Sequence, residues 1–141
     1  MPVDIWYPAA SAHDGEDFDP EKMSSFDFLF GPGKNTQNAV MNAKARSGTF
    51  PLVVFSHGYG GERRQSTFFY THLASHGYVI AAMDHVGNTA VELLSGQAAG
   101  DAESISRFME SRPVDASFVI DQMLAGAADL DIDEDRIGMS G

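Results

Sequence analysis

Near the start of the chain the apolar side chains recur at every second place: Val3, Ile5 and Tyr7 alternate with Asp4 and Trp6, and Pro8 ends the run. That spacing predicts a short strand with one buried face. Residues 50–55 (FPLVVF) are instead continuously apolar and run into Ser56-His57-Gly58. A short unbroken run with paired valines, closed by a turn, predicts a strand buried on both faces, as in a parallel sheet. Residues 78–83 (YVIAAM) repeat the pattern and stop at Asp84-His85. Between these strands, STFFYTHLASHG has helical spacing, with Ser66 as N-cap, Phe69 and Leu73 on one face, and Gly77 where a left-handed C-terminal residue belongs. The stripe of Phe68, Phe69 and Tyr70 reads as core packing on one side.

Further on, residues 89–111 read as loop with one or two short helices, where Ile105, Phe108 and Met109 mark an apolar face. Pro113 predicts the start of a longer helix with Val114, Phe118, Met123 and Leu124 inward and Gly126 closing it. Residues 131–135 form an acidic turn, and residues 136–139 begin a third buried strand. Residues 9–48 break the regular pattern. They are rich in Asp, Ser, Asn, Gly and Pro, with one aromatic island at Phe26, Phe28, Leu29 and Phe30, and read as an insertion or flexible loop with a short helix over residues 38–46. Strand, helix, strand, helix, strand is the alternation of an α/β fold with a parallel sheet.

Composition narrows the classes of function. The 141 residues suit one domain, and 43% of them are hydrophobic, too many for a disordered chain. No apolar run approaches the roughly 20 residues of a spanning helix, and the N-terminal MPVDIWYPAA shows neither the basic start nor the apolar core of a leader. With no cysteine there is no disulfide, thiolate chemistry or cysteine-bound metal. Twenty acidic residues against nine Lys and Arg give a net charge of −11, which argues against nucleic acid as a partner.

Chemistry concentrates in Ser56-His57-Gly58-Tyr59-Gly60-Gly61, between a buried strand and a helix. Glycines there let the backbone turn sharply and leave N–H groups pointing into a cleft, where they can stabilise an oxyanion. A tight turn without chemistry is the alternative. Nucleotide motifs fail on spacing: G-x-G-x-x-G from Gly58 would need glycine at Arg63, and a P-loop ending at Gly33-Lys34 would need Ser or Thr at Asn35. His72 and His76 share a helical face, but Leu73 stands where a zinc-protease motif requires Glu, so no metal site is expected. Asp121 and the acidic residues 131–135 read as solvated charge. Asp84 and His85 end a strand at the carboxyl edge of the sheet, where α/β folds collect functional residues, and are candidates for lining the cleft.

Taken in order, FPLVVFSHGYGG, GYVIAAMDHVG, RPVDASFVIDQML and DEDRIGMSG resemble the α/β-hydrolase fold, and PVDIWYPA resembles a preceding strand of it. The resemblance is to the branch holding dienelactone-hydrolase-like and platelet-activating-factor-acetylhydrolase-like esterases. It implies a mostly parallel sheet with flanking helices, a small-molecule ester or lipid-like substrate, no cofactor, and hydrolysis by a serine nucleophile. In that family the strand beginning Arg-Ile runs into the elbow G-x-S-x-G. Gly141 takes the place of the elbow's first glycine, so the resemblance implies a nucleophile two residues past Gly141, with the triad's acid and histidine further on. The chain then reads as a single incomplete hydrolase domain over residues 1–141, inactive by itself. Ser140 as nucleophile is the lesser alternative, because it would follow Arg136 too closely for the strand to finish.

The resemblance also implies that the Tyr59 backbone N–H is one oxyanion donor. Gly58 and Gly60 would permit its conformation, with His57 and Gly61 in support, His57 as a structural residue whose ring holds the turn. A non-catalytic α/β module binding a small ligand or partner is the alternative function.

Overall fold

The computed structural model describes residues 1–27, 32–97 and 101–141. Four strands make the main sheet: β1 (Val3–Trp6), β4 (Thr49–Ser56), β5 (Val79–Met83) and β6 (Asp131–Ser140). Their order is β1-β5-β4-β6, with β5, β4 and β6 parallel and β1 antiparallel to β5. Helix α1 (Thr67–Ser75) joins β4 to β5, and α2 (Ala90–Leu94) and α3 (Ala102–Leu124) precede β6. This is the mostly parallel α/β sheet with flanking helices that the strand-helix alternation predicts.

The period of two along β4 and β5 divides the core between the faces of the sheet. Phe50, Leu52 and Val54 of β4 join Val79, Ala81 and Met83 of β5 under Ala116, Val119 and Met123 of α3. On the other face, Phe55, Ile80 and Ala82 meet Tyr70 and Ala74 of α1 and Trp6 of β1. Trp6 is the most buried residue of β1, so that strand is covered on both faces and not on one as its alternation predicts. Only Tyr70 of the α1 aromatic stripe is fully buried, and Phe68 is exposed. Ser66 stands at the N-cap of α1 without a side-chain capping bond. Gly77 and Gly126 do take the left-handed conformation that ends their helices.

Three expectations are overturned. Residues 38–46 form no helix: β2 (Met23–Asp27) and β3 (Lys34–Val40) pair as a separate antiparallel hairpin, and the chain turns after Val40. The hairpin is tied down by polar side chains, through Trp6 Nε1 to Gln37 Oε1 (2.8 Å) and Gln37 Nε2 to Ser24 Oγ (3.0 Å), which leave no apolar signature. Phe28, Leu29 and Phe30 of the aromatic island lie outside the described residues.

Second, Pro113 lies inside the 23-residue α3 and does not start it. The helix begins at the Asp101 N-cap, whose carboxylate accepts from the Ser104 N–H at 2.8 Å. Because the helix starts eleven residues earlier than Pro113 suggests, its packed face is Ser104, Ala116, Val119 and Met123, while Ile105, Met109, Val114, Phe118 and Leu124 are exposed. A proline within a helix removes one backbone bond and crowds the carbonyl four residues back. Pro113→Ala is therefore expected to stabilise the fold by about 1–3 kcal/mol, read as a higher urea midpoint. An unchanged or lower midpoint would mean that the ring is required where it stands.

Third, residues 136–139 are not a buried strand. They form the second part of β6, with Gly138 and Met139 exposed, because β6 has β4 on one side and no partner on the other among the described residues. The acidic turn is real but lies within β6. Pairing jumps from Phe50↔Ile132 to Leu52↔Ile137, and the extra residues close on themselves through the Arg136–Asp133 pair at 2.5 Å.

Candidate active site

Parallel strands bring the ends of β4 and β5 and the last residue of β6 to one edge of the sheet, the carboxyl edge where α/β folds place their sites. Phe55 pairs with Ser140, so Gly141 comes next to the end of β4. A Cβ on Gly141 would collide with the Ser56 carbonyl oxygen, so only glycine fits this approach.

The loop after β4 is held by its carbonyls. Gly58 O accepts from His57 Nδ1 (2.7 Å), from Gly61 N–H (3.0 Å) and from Arg112 Nη2 (3.2 Å). Arg112 Nη1 also donates to the His57 carbonyl, and Nη2 donates to Asn88 Oδ1 at 2.6 Å. The Tyr59 amide donates to none of the described residues. Because a trans peptide sets C=O and N–H on opposite sides, fixing Gly58 O aims the Tyr59 N–H away from the guanidinium. Of the two glycines expected to permit this turn, only Gly60 needs to be glycine on backbone grounds, with φ of +66°, and Leu93 fills the space beside it.

His57 is fully buried between two backbones. With Nδ1–H donated to Gly58 O, its Nε2 accepts the His85 backbone N–H at 3.1 Å. Burial, the largest influence, pushes its pKa below the usual imidazole value, with the nearby Arg112 charge acting the same way. The neutral ring is thus part of the fold. A depressed value contributes stability that is complete above about pH 6.5 and is lost as pH falls through the folded pKa. Between about pH 7 and pH 5 the melting temperature of the native chain should fall more steeply than that of His57→Gln. Parallel slopes would show that His57 carries no such linkage.

His85 does not line an open cleft. It is 2% exposed and bridges Ser56 to α3, with Nε2 2.8 Å from Ser56 Oγ and Nδ1 2.7 Å from Asp115 Oδ2. The acceptor-only carboxylate places the proton on Nδ1, so Ser56 O–H donates to Nε2. Asp84 accepts the Arg63 amide at 2.7 Å and pairs with the Arg63 guanidinium, and it borders a small cavity of about 260 Å³ with Glu62, Val86 and Val91. A wider cavity of about 810 Å³ lies between the hairpin, β1 and α1 and touches none of residues 56–61. The convergent polar groups, and the amides without an acceptor among the described residues, lie instead at the β4 edge.

In the sequence Ser56 is visible only as the start of the loop segment, and the contacts of Ser56, Asn88, Arg112 and Asp115 have no local signal. They lie 24 to 56 positions from their partners, and no local periodicity encodes such contacts. Among the described residues no group of three or more His, Asp or Glu is placed to hold a metal. His72 and His76 stack on one another at the end of α1.

A sequence profile of the family described as "Platelet-activating factor acetylhydrolase, isoform II" matches residues 21–117. The chain belongs to this family. The matched span holds the β4 loop, Asp84, His85, Arg112 and Asp115, and stops short of Gly141. Among curated relatives, the platelet-activating factor acetylhydrolase of Bos taurus is 41% identical over 59 residues, 41% of this chain and 13% of that protein. That of Canis lupus familiaris is 40% identical over 70 residues, 49% of this chain and 15% of that protein. The chain thus spans a small part of the relatives it matches. A ferulic acid esterase from Streptomyces cinnamoneus superposes with a TM-score of 0.59 at 30% identity, over 74% of this chain and 32% of that one. The matched family and the superposed structure are named for an acetylhydrolase and an esterase, and the α/β fold is common ground between them and this chain.

Proposed function

We propose that these residues form the anion-binding part of a serine-nucleophile hydrolase of carboxylic esters, within a single α/β-hydrolase domain. The observation that carries the reading is the Tyr59 amide: it stands at the carboxyl end of the central strand without an acceptor among the described residues, and its peptide is held from behind by Gly58 O. As an ester carbonyl is attacked, negative charge grows on its oxygen, and a fixed N–H stabilises that charge without reorganising. The serine nucleophile stands two residues past Gly141, in the turn this glycine begins. Membership of the acetylhydrolase family and the esterase fold support an ester or lipid-like substrate.

Labelling with a fluorophosphonate, which reacts with activated serines, tests the reading. The polypeptide read through beyond Gly141 should take one label, on a serine in x-Ser-x-Gly directly after Gly141, and should hydrolyse 4-nitrophenyl acetate. The 141-residue chain should do neither. A continuation without that serine, or a labelled Ser140 in the short chain, would contradict the proposed register.

A further inference from the structure

The proposed chemistry uses the β4 loop and leaves the polar cluster of α3 without a task. Arg112 is half-buried, and its guanidinium turns off the helix onto two successive carbonyls, those of His57 and Gly58, with Ser56 Oγ at 3.4 Å from Nη1. A planar fork of donors matches a pair of adjacent acceptors in a way that a single ammonium does not. Each carbonyl lies in a rigid peptide whose N–H faces the other way. Holding both carbonyls on one side therefore turns the amides of Gly58 and Tyr59 to the other, and neither has an acceptor among the described residues. Successive N–H groups facing one way make a concave anion site.

The rest of the cluster keeps the fork in place. Asn88 Oδ1 takes one of its N–H groups at 2.6 Å, and Asn88 is itself set by a turn in which its N–H bonds His85 O at 3.0 Å. Asp115, one helical turn after Arg112, holds His85 at 2.7 Å, and His85 holds Ser56 at 2.8 Å. We propose that Arg112 is the positioning residue of the anion-binding loop, braced by Asn88 and by the Asp115–His85–Ser56 chain, and that its loss misaims the Gly58 and Tyr59 amides.

The Ser56–His85–Asp115 chain also has the connectivity of a nucleophilic triad. Three features make it a brace. The His85 ring is 2% exposed, its backbone N–H is bound by His57 Nε2, and Ser56 Oγ is shared between His85 and Arg112. A histidine that hands a proton to a leaving group needs an open face, and His85 has none.

The positioning role rests on the hydrolase reading for its effect on rate, so the experiment has one arm with turnover and one without. In the read-through protein, Arg112→Gln should lower kcat on 4-nitrophenyl acetate by about 10²-fold with KM within about threefold, since a small misplacement of transition-state donors costs that much. Arg112→Lys should lose nearly as much, because charge without the fork holds one carbonyl at most, and methylguanidinium should restore part of the rate to Arg112→Ala. Ser56→Ala should lower kcat yet still take the fluorophosphonate label. Without turnover, the ¹⁵N-tyrosine resonance of Tyr59 should shift or broaden in Arg112→Gln and Arg112→Lys.

A Tyr59 resonance unmoved in both folded variants, or kcat unchanged in both, overturns the positioning role. Loss of the label in Ser56→Ala overturns it too, by making Ser56 the nucleophile. A wild-type protein that is neither labelled nor active, but whose Tyr59 resonance still moves with Arg112, would leave the positioning intact and refute the hydrolase reading alone.

Discussion

Proline at position 59 is expected to lower kcat for ester hydrolysis by about 10²–10³-fold in the read-through protein, the loss that follows removal of one oxyanion donor. Proline deletes the amide hydrogen and little else of value, because the Tyr59 side chain is 54% exposed and belongs to neither core. Tyr59→Ala is the control: it keeps the N–H and should stay within about tenfold of the native rate. The comparison separates backbone from side chain. Equal losses in the two variants would assign the effect to the phenol ring or to folding, and the amide would lose its role.

The largest loss of stability is expected from Leu52→Ala. Leu52 is 1% exposed at the middle of β4, paired to Val79 on one side and Ile137 on the other, and packed towards α3. Truncation of a buried leucine costs about 2–5 kcal/mol, because a cavity remains where the neighbours cannot close in. Against a typical total of about 5–15 kcal/mol this is a large share, and the urea midpoint should drop accordingly. Leu94, 69% exposed on α2, is the counterpart, and its change to alanine should alter the stability by no more than about 0.5 kcal/mol. A Leu52→Ala loss below about 1 kcal/mol would mean that the two-sided packing of β4 is not what holds this sheet together.

What the sequence revealed follows from which forces leave a local trace. β4 and β5 are legible because a parallel strand covered on both faces must be apolar at every position, as VVF and VIAAM are. Gly77 and Gly126 are legible because a left-handed helix end excludes most side chains. The β2–β3 hairpin is not, because Gln37 holds it by hydrogen bonds to Ser24 on one side and to Trp6 on the other. Pro113 misled for a definite reason. Proline favours the first turn of a helix, but the Asp101 cap had already started this one, and tertiary packing of Ala116, Val119 and Met123 outweighs the missing bond.

The site divides along the same line. Residues 56–61 stand out because chemistry-bearing glycines cluster between a strand and a helix. His57 and His85 are visible as residues, but not as a pair joined ring to backbone. Arg112 and Asp115 appear in the sequence only as part of the RPVDASFVIDQML helix segment. Only the fold shows that one reaches two carbonyls of the loop and the other reaches His85.

The central claim is that the Tyr59 amide receives the charge of the reacting oxygen. A crystal structure of the read-through protein phosphonylated on its nucleophile measures this directly, because the tetrahedral phosphonyl oxygen sits where the oxyanion would form. That oxygen should lie about 2.7–3.1 Å from the Tyr59 nitrogen, with Gly58 O still held by Arg112 on the far side of the peptide. A phosphonyl oxygen bound by other donors, with Tyr59 N–H turned away from it, would contradict the account.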